Sequence, residues 1–356
     1  MKKIIKVLIA TMLALTVALS LVACGDQSGK AGDKGLLLKK YAGEDFYTVY
    51  GYVDEGLGKT TLDIGAIAGE KEVGRIALNA FEGNDTLVEI VVPDTVTEIQ
   101  AGAFAKMKKL KKITLPFVGM TAVADSYQNQ KDEAEDKSVD VKRNFVYIFG
   151  KEEYSYGEQI TAGYGSDVAT YYIPSSLEEV VIAPKGEYNI PMYAFSGLGL
   201  VENITLKGNI TEIGEYAFQN CRDLVRLNIP QTVKTIYKGA FVGCEMLDDG
   251  FKLDANSTLV EIKENAFDGS KIAELVLPAT VKKIGNYCFA NASLNKITLT
   301  GALESVGAYA FYNCANLSVV DVSQVTGTPA LGVWAFRDCD KLNWSQDLIN
   351  LWGARA

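Results

Sequence analysis

The residues that could carry chemistry in this chain are few, because histidine is absent. The 356-residue sequence has no histidine and six cysteines. Without histidine, Ser-His-Asp and Cys-His catalytic groups and most zinc sites are excluded. Cys221, Cys244, Cys314 and Cys339 are not arranged in the closely spaced pairs that structural zinc needs. We therefore predict neither a metal site nor a cofactor.

The segment Gly56-Leu57-Gly58-Lys59-Thr60 looks like the end of a phosphate-binding loop. The earlier glycine of such a loop would fall at residue 53, which is Val53. Residues 61–64 are typical of a strand rather than of the helix that the loop requires. We predict a turn here. Since no nucleophile motif is present and Glu178-Glu179 are only surface neighbours, we also predict that the chain is not an enzyme.

Composition and charge narrow the possible partners. The chain is 48% hydrophobic and 22% charged, which excludes wholesale disorder. Its formal net charge is −9. An acidic chain lacks the basic footprint of a nucleic-acid binder, so no nucleic-acid partner is predicted.

The N-terminus has the pattern of a secretory signal. Lys2, Lys3 and Lys6 precede an apolar run that ends at Leu21-Val22-Ala23-Cys24. This ending resembles the bacterial lipobox, which implies cleavage after residue 23 and acylation of Cys24. The alternative is an ordinary signal with an incidental cysteine. We predict a lipoprotein held at the cell surface through Cys24, with residues 24–35 as a flexible tether.

An Ala-Phe dipeptide recurs along the chain. It occurs eight times, and Cys288-Phe289 is a ninth copy. Two residues after each phenylalanine stands Gly, Asn or Asp in eight of nine copies, which predicts a left-handed turn. A strand-like run follows the turn and ends in proline in four copies, such as Leu87–Pro93, and a second short extended piece comes after it, such as Val96–Ile99. A period of 22 to 26 residues indicates a solenoid.

These repeats resemble the BspA-like leucine-rich repeats of bacterial surface proteins, with the pattern Leu-x-x-Ile-x-Ile-Pro, Val-x-x-Ile-Gly, Ala-Phe, Gly-Cys. The resemblance implies an α/β repeat fold, a leucine-rich-repeat solenoid of short strands and turns, interrupted by one inserted subdomain. It also implies a link to adhesion. The recurring cysteines occupy one inward column, filled elsewhere by alanine, serine, methionine or asparagine, so free buried thiols are favoured over disulfides or a metal site.

The insertion lies between Phe104 and Phe195. Its acidic first half, residues 125–140, is predicted to be a solvated loop. Its second half contains an apolar stretch, Phe145–Gly150, and clustered tyrosines. These tyrosines either pack the insertion against the solenoid, which we favour, or contact a glycan or protein.

The repeat and its interruptions divide the chain into seven segments. At the C-terminus, Trp344, Leu348, Leu351 and Trp352 have helical spacing and could cover the last coil. The predicted segments are a signal peptide at 1–23, a tether at 24–35, an N-terminal cap at 36–72, repeats at 73–116, the inserted subdomain at 117–176, repeats at 177–342 and a C-terminal cap at 343–356.

Function is predicted to lie on outward positions of the main strands. The first hypothesis is a protein-interaction or adhesion module that uses the solenoid face. The second is a glycan-binding surface lipoprotein that uses the tyrosines of the insertion, and an enzyme is the least favoured. The candidate binding residues are Glu89, Lys112, Thr114, Glu179, Arg226, Asn228, Glu274, Lys296, Thr298 and Asp321 on the strands, and Tyr154, Tyr156 and Tyr164 in the insertion.

Overall fold

A computed structural model describes residues 35–54, 58–122, 140–164, 167–248 and 251–353. In this part of the chain the helices are α1 (Ile64–Ala68) and α2 (Gln346–Trp352), with 3₁₀ segments at Asp140–Arg143 and Phe145–Phe149. The strands, in chain order, are β1 Leu36–Lys40, β2 Tyr47–Tyr52, β3 Thr61–Asp63, β4 Val73–Ile76, β5 Glu89–Val91, β6 Glu98–Ile99, β7 Lys112–Leu115, β8 Gly157–Tyr164, β9 Asp167–Pro174, β10 Glu179–Ile182, β11 Glu187–Ile190, β12 Asn203–Leu206, β13 Asn209–Ile213, β14 Arg226–Asn228, β15 Thr235–Ile236, β16 Glu261–Ile262, β17 Glu274–Val276, β18 Lys283–Ile284, β19 Lys296–Gly301, β20 Ser305–Val306, β21 Val319–Val325 and β22 Ala330–Leu331.

The strands form the predicted solenoid, with two parallel ladders along its length. The main side runs β3-β5-β7-β10-β12-β14, crosses a single bridge from Asn228 to Lys252, and continues as β17-β19-β21. The second side begins as β2-β4-β6 and continues as β11-β13-β15-β16-β18-β20-β22. Successive coils therefore stack in register, which confirms the leucine-rich-repeat solenoid.

The core follows from strand alternation. Ile90, Ile113, Val180 and Ile204 pair across adjacent main strands and are at most 1% exposed. Ile213, Ile236 and Ile262 do the same on the second side. No single coil could enclose these side chains, so each is buried by its neighbours.

The third side consists of the Ala-Phe turns. Seven of the nine repeat phenylalanines donate their amide to the carbonyl of the next copy's alanine-position residue, as from Phe241 to Ala266 at 2.8 Å and from Phe267 to Cys288 at 2.8 Å. The rings form a stacked column, with centroids 5.2 Å apart between Phe218 and Phe241. The small residue before each phenylalanine allows this close approach of the coils.

Two backbone positions in every turn are left-handed. The position two residues after the phenylalanine has positive φ in all nine copies, which confirms the turn prediction and includes the exception, Lys106 at 55°. The position immediately before the Ala-Phe pair is also left-handed in all nine copies. The sequence pattern did not predict this second left-handed position. Glycine occupies it at Gly102 and Gly239, whereas bulky aromatic residues occupy it in five copies.

The insertion contributes a coil of its own. The main sheet passes directly from β7 to β10, so the insertion adds no main strand. The 3₁₀ segment Phe145–Phe149 instead continues the turn side, because Phe104 N donates to Ile148 O at 3.0 Å and Phe145 N donates to Ala194 O at 2.8 Å. The antiparallel β8-β9 hairpin leaves from this coil. Part of the predicted subdomain therefore belongs to the solenoid core; most of the acidic half lies outside the described residues.

Both ends of the solenoid have atypical elements. At the N-terminal end, β1 pairs antiparallel with β2 and covers the edge of the second side. Residues 61–63, after the phosphate-loop-like segment, form β3 as expected; Gly56 lies outside the described residues. At the C-terminal end, Leu348 of α2 is fully buried, and the rings of Trp344 and Trp352 lie 5.9 and 6.0 Å from that of Phe336.

The five cysteines of the described chain are free and buried. Four of their thiols also have a role that the sequence did not reveal. The Sγ atoms of Cys221, Cys244, Cys314 and Cys339 each donate to a phenylalanine carbonyl of an earlier coil at 3.0–3.1 Å. Burial raises the pKa of Cys244 to about 12. These cysteines are hydrogen-bonded core residues rather than simple apolar fillers.

Candidate binding surfaces

The candidate residues of the main strands do form one outward row. Strand register places Lys112 between Glu89 and Glu179, and Lys296 between Glu274 and Val319. The second register line of the row contains Thr114 in the early coils and Thr298 and Asp321 in the late coils. The fold therefore aligns these candidates along the main side, with an interruption between β14 and β17, which are not paired with each other.

In the N-terminal part of this row, the charged side chains form ion pairs with one another. Lys112 Nζ lies 3.2 Å from Glu179 Oε1 and 3.8 Å from Glu89 Oε1. Their side chains are about one-third exposed, so this ladder contributes modestly to stability and its charges compensate one another. A partner would have to break these ion pairs to use them.

Other members of the row also make local contacts. Asn228 Oδ1 accepts from Leu206 N at 3.0 Å and its Nδ2 donates to Leu206 O at 2.9 Å, which ties two coils together. Asp321 accepts from the amide and hydroxyl of Ser323. These hydrogen bonds lower the pKa of Asp321 below its ordinary value. Thr298 is only 8% exposed. The exposed members are Arg226, Asn228, Glu274 and Val319, with the neighbouring Val276.

The described tyrosine side chains of the insertion pack against the protein rather than extend into solvent. Tyr154 and Tyr156 are half-buried, and their hydroxyls donate to the carbonyls of Tyr172 and Lys106, both at 3.0 Å. The Lys106 carbonyl belongs to the solenoid, so Tyr156 anchors the insertion there. Burial raises the pKa of Tyr154. The side chain of Tyr164 lies outside the described residues. This geometry favours the packing interpretation over glycan contact by these side chains.

An exposed row of aromatic residues lies at the turn side of the last coils. Tyr287 and Tyr309 stack with centroids 4.8 Å apart and planes 4° apart, and Trp334 meets Tyr309 edge-on at 5.3 Å. Trp334 is 51% exposed, its neighbour Val333 is 64% exposed, and the Arg337 guanidinium lies 5.1 Å from the Trp334 ring centroid. We call Tyr287, Tyr309, Trp334, Val333 and Arg337 the aromatic edge.

The backbone under the aromatic edge is strained. Tyr287, Tyr309 and Trp334 have φ of 52°, 55° and 55°. Asn79 and Asn265 occupy the same repeat position in other coils, and asparagine tolerates this conformation better than a bulky residue. Left-handed backbone costs a bulky residue roughly 1–2 kcal/mol. The signal was present in the sequence as Tyr-Cys-Phe, Tyr-Ala-Phe and Trp-Ala-Phe, but periodicity of apolar residues alone did not single it out.

The remaining predicted features concern lipid and metal. Cys24 and the preceding signal lie outside the described residues, so the lipid attachment stays a prediction. In the described ranges, no helix combines the length and hydrophobicity needed to span a bilayer. Across the same ranges, no group of three or more acidic or cysteine side chains is arranged to hold a metal ion.

Comparison with family models identifies the repeat. A model described as the BspA type leucine rich repeat region matches in six copies, over residues 60–134, 168–258 and 260–345. The chain belongs to this family. Leucine-rich repeats of the BspA type are typically binding modules rather than enzymes. The family match is interrupted between residues 134 and 168, where the insertion departs from the repeat.

Several solved structures are similar to the chain, among them three bacterial leucine-rich repeat proteins. A leucine-rich repeat protein from Bacteroides ovatus is 18% identical with a TM-score of 0.40, covering 86% of this chain and 80% of its own. The T. pallidum leucine rich repeat protein is 21% identical with a TM-score of 0.44, covering 58% of this chain and 100% of its own. A leucine rich cell surface protein from Faecalibacterium prausnitzii is 18% identical with a TM-score of 0.31, covering 91% and 98%. No curated protein matches the chain.

Proposed function

We propose that this BspA-type repeat protein is a cell-surface lipoprotein that binds a protein partner through its aromatic edge. The observation that carries the proposal is the exposure of Trp334 and Tyr287 in a row that continues through Tyr309 and ends beside Arg337. Trp, Tyr and Arg are the residue types that dominate the binding energy of protein interfaces.

The backbone supports the same interpretation. Aromatic residues are kept at left-handed positions, although asparagine fits the position in other coils of the same solenoid. Strain of this kind clusters at functional surfaces, although ring stacking, as between Tyr287 and Tyr309 at 4.8 Å, offsets part of its cost. The stacked rings are also held rigidly by their neighbours, so they would lose little side-chain entropy on binding.

The binding test uses the soluble chain from residue 25, applied to an array of extracellular-matrix proteins and glycans. The edge variant carries Tyr287→Asn, Tyr309→Asn and Trp334→Asn, since asparagine tolerates the left-handed backbone. The control variant carries Lys112→Ala and Lys296→Ala on the main-strand row. We expect a protein on the array to bind the parent and the control, and to bind the edge variant at least tenfold more weakly.

One result would assign the interface to another surface, and one control is needed. If the control loses binding and the edge variant keeps it, the main-strand row is the interface, as the sequence alone suggested. If the edge variant loses binding only because it unfolds, its thermal midpoint falls with it, so unfolding is measured on every variant.

The location at the cell surface rests on the N-terminal sequence. The apolar run ending at Ala23-Cys24 supports processing and acylation, and acyl chains on one cysteine give stable anchoring because each buried methylene contributes about 0.8 kcal/mol. The short polar segment from Gly25 would then join the lipid to β1.

A further inference from the structure

On the turn side, backbone amides of one coil donate to carbonyls of the coil that follows it. In the coil before the last, three amides at alternate positions of the turn make these bonds. The distances are 3.1 Å from Tyr309 N to Val333 O, 2.7 Å from Phe311 N to Ala335 O and 2.9 Å from Asn313 N to Arg337 O. Each turn is therefore completed by a row of carbonyls from the next coil.

The last turn has no following coil. The amides at its three corresponding positions belong to Trp334, Phe336 and Asp338, and none of them has a hydrogen-bond acceptor in the described ranges. Trp334 and Asp338 are exposed residues, and Phe336 lies between them with its ring inside the solenoid. The last turn thus presents a row of amide donors at alternate residues, as the edge of a sheet does.

The C-terminal cap covers the other two sides of this end. On the second side, Trp352 Nε1 of α2 donates to Pro329 O at 2.9 Å, one residue before β22. On the main side, Asn343 N donates to Ser318 O at 3.1 Å, one residue before β21. Solenoid ends are normally covered, because an open edge pairs with other chains. In the part of the chain that the structure describes, the turn side of the last coil has no such cover.

The surface beside the open amides suits a neutral, partly apolar acceptor. Val333 and Trp334 are both more than half exposed. Arg337 Nε lies 3.7 Å from Asp338 Oδ2, so the two charges of the last turn compensate one another. The remaining donors are neutral amides next to apolar side chains. Backbone carbonyls flanked by side chains are what an extended peptide segment presents to such an edge.

We propose that an extended peptide segment of the protein partner docks along the last turn. Its backbone carbonyls accept from the amides of Trp334, Phe336 and Asp338, and its side chains lie against Val333 and the Trp334 ring. Main-chain pairing of this kind supplies affinity, and the side-chain contacts supply specificity. This inference rests on the proposed function, and it adds the chemistry by which the partner is recognised.

The test is hydrogen–deuterium exchange of the soluble chain from residue 25, resolved to single residues by fragmentation in the mass spectrometer. It is measured on the free chain and on its complex with a protein that binds on the array. The amides of Tyr309, Phe311 and Asn313 are internal controls, since the next coil already bonds them. In the free chain, the amides of Trp334 and Asp338 should exchange at least tenfold faster than these controls. In the complex they should slow at least tenfold, and the controls should not change.

A pair of matched variants tests the same edge through binding. Val333→Asp places a carboxylate beside the open amides, where it repels incoming carbonyl oxygens. Val276→Asp makes the same change at a valine of similar exposure on the main side, 59% against 64%. We expect Val333→Asp to weaken binding of the array protein at least tenfold and Val276→Asp to leave it unchanged. Equal loss in the two variants would count against the proposed docking edge.

Slow exchange of Trp334 and Asp338 in the free chain would overturn the inference, because these amides would already have an acceptor. Unchanged exchange in a complex that still shields the Trp334 ring from oxidation would also overturn it, and the proposed function would stand. If no array protein binds, both fail together. If the amides slow only with a glycan, or only as the free chain dimerises in sedimentation, the occupant is not a partner's peptide and the inference is wrong.

Discussion

The most demanding perturbation of the solenoid is removal of a ring from the middle of its phenylalanine column. Phe241 is fully buried and stacks on Phe218 at 5.2 Å and on Phe267 at 5.0 Å. The Phe251 ring lies 5.9 Å away at 59°. Phe241→Ala therefore removes three ring contacts and leaves a cavity between two coils.

The expected cost follows from these contacts. Truncating a buried phenylalanine costs about 3–5 kcal/mol, and each aromatic pair adds about 0.5–1.5 kcal/mol beyond burial. We expect Phe241→Ala to lie at the upper end, about 4–5 kcal/mol. Phe81 is the matched control, because it is also buried but stacks on Phe104 alone, at 5.4 Å, at the end of the column. Phe81→Ala should cost about 3 kcal/mol.

The assay is denaturant unfolding followed by circular dichroism and by tryptophan fluorescence, which reports on Trp334, Trp344 and Trp352 at the last coil. Because coils contact only their neighbours, Phe241→Ala should separate the two probes into different transitions. Phe81→Ala should not, and Lys296→Ala should change stability by less than about 0.5 kcal/mol. Equal costs for Phe81→Ala and Phe241→Ala would refute the stacking argument, and a comparable cost for Lys296→Ala would refute the assignment of faces.

Four further predictions concern individual residues. The five cysteines from Cys221 to Cys339 should resist a thiol reagent in the folded chain and react after denaturation without reductant, as intact mass would reveal; labelling that requires reductant would mean disulfides. Ser270→Cys should raise stability by about 1 kcal/mol in denaturant unfolding, because the buried Ser270 hydroxyl has no partner while cysteines in this column donate to carbonyls; a decrease would contradict the column geometry. Burial opposes ionisation of Glu98, but hydrogen bonds from Arg75 and Gln100 outweigh it and lower its pKa, so its stabilising effect is present above the ordinary glutamate pKa and lost as pH falls; Glu98→Gln should flatten the stability profile between about pH 5 and 3, and an unchanged slope would be inconsistent with the ion pair. Cys24→Ala should leave the protein unprocessed or outside the membrane fraction, and a variant that is processed and fractionates like the parent would exclude the lipid anchor.

Much of the fold could be predicted because the same core and turn residues recur in nine copies of the repeat. The Ala-Phe pair, the turn residue two positions later and the alternating strand each recur, so a chance match in one copy is corrected by the others. Lys106 shows the strength of this reasoning, since the structure places even this exception in the left-handed conformation.

The insertion was harder to predict because it lacks the repeat's own residues. Phe145 and Phe149 continue the ring column without an Ala-Phe pair, and only backbone hydrogen bonds to Ala194 and from Phe104 reveal the coil. Such long-range pairing has no local sequence signal.

The candidate surfaces could be predicted only in part. Strand alternation placed the candidates on the outward side of the main strands, but it did not show that Thr298 would be covered or that Lys112 would be held by Glu89 and Glu179. Charge pairing across coils depends on register, which the spacing of the coils fixes only approximately.

The central claim is that the chain binds its partner through Tyr287, Tyr309 and Trp334. Hydroxyl-radical footprinting of the soluble chain, free and saturated with a protein identified on the array, measures this directly, because exposed aromatic side chains are oxidised and covered ones are protected. We expect protection concentrated at Tyr287, Tyr309 and Trp334, with Tyr41 unchanged. Full oxidation of these three residues in the complex, with protection elsewhere on the solenoid, would contradict it.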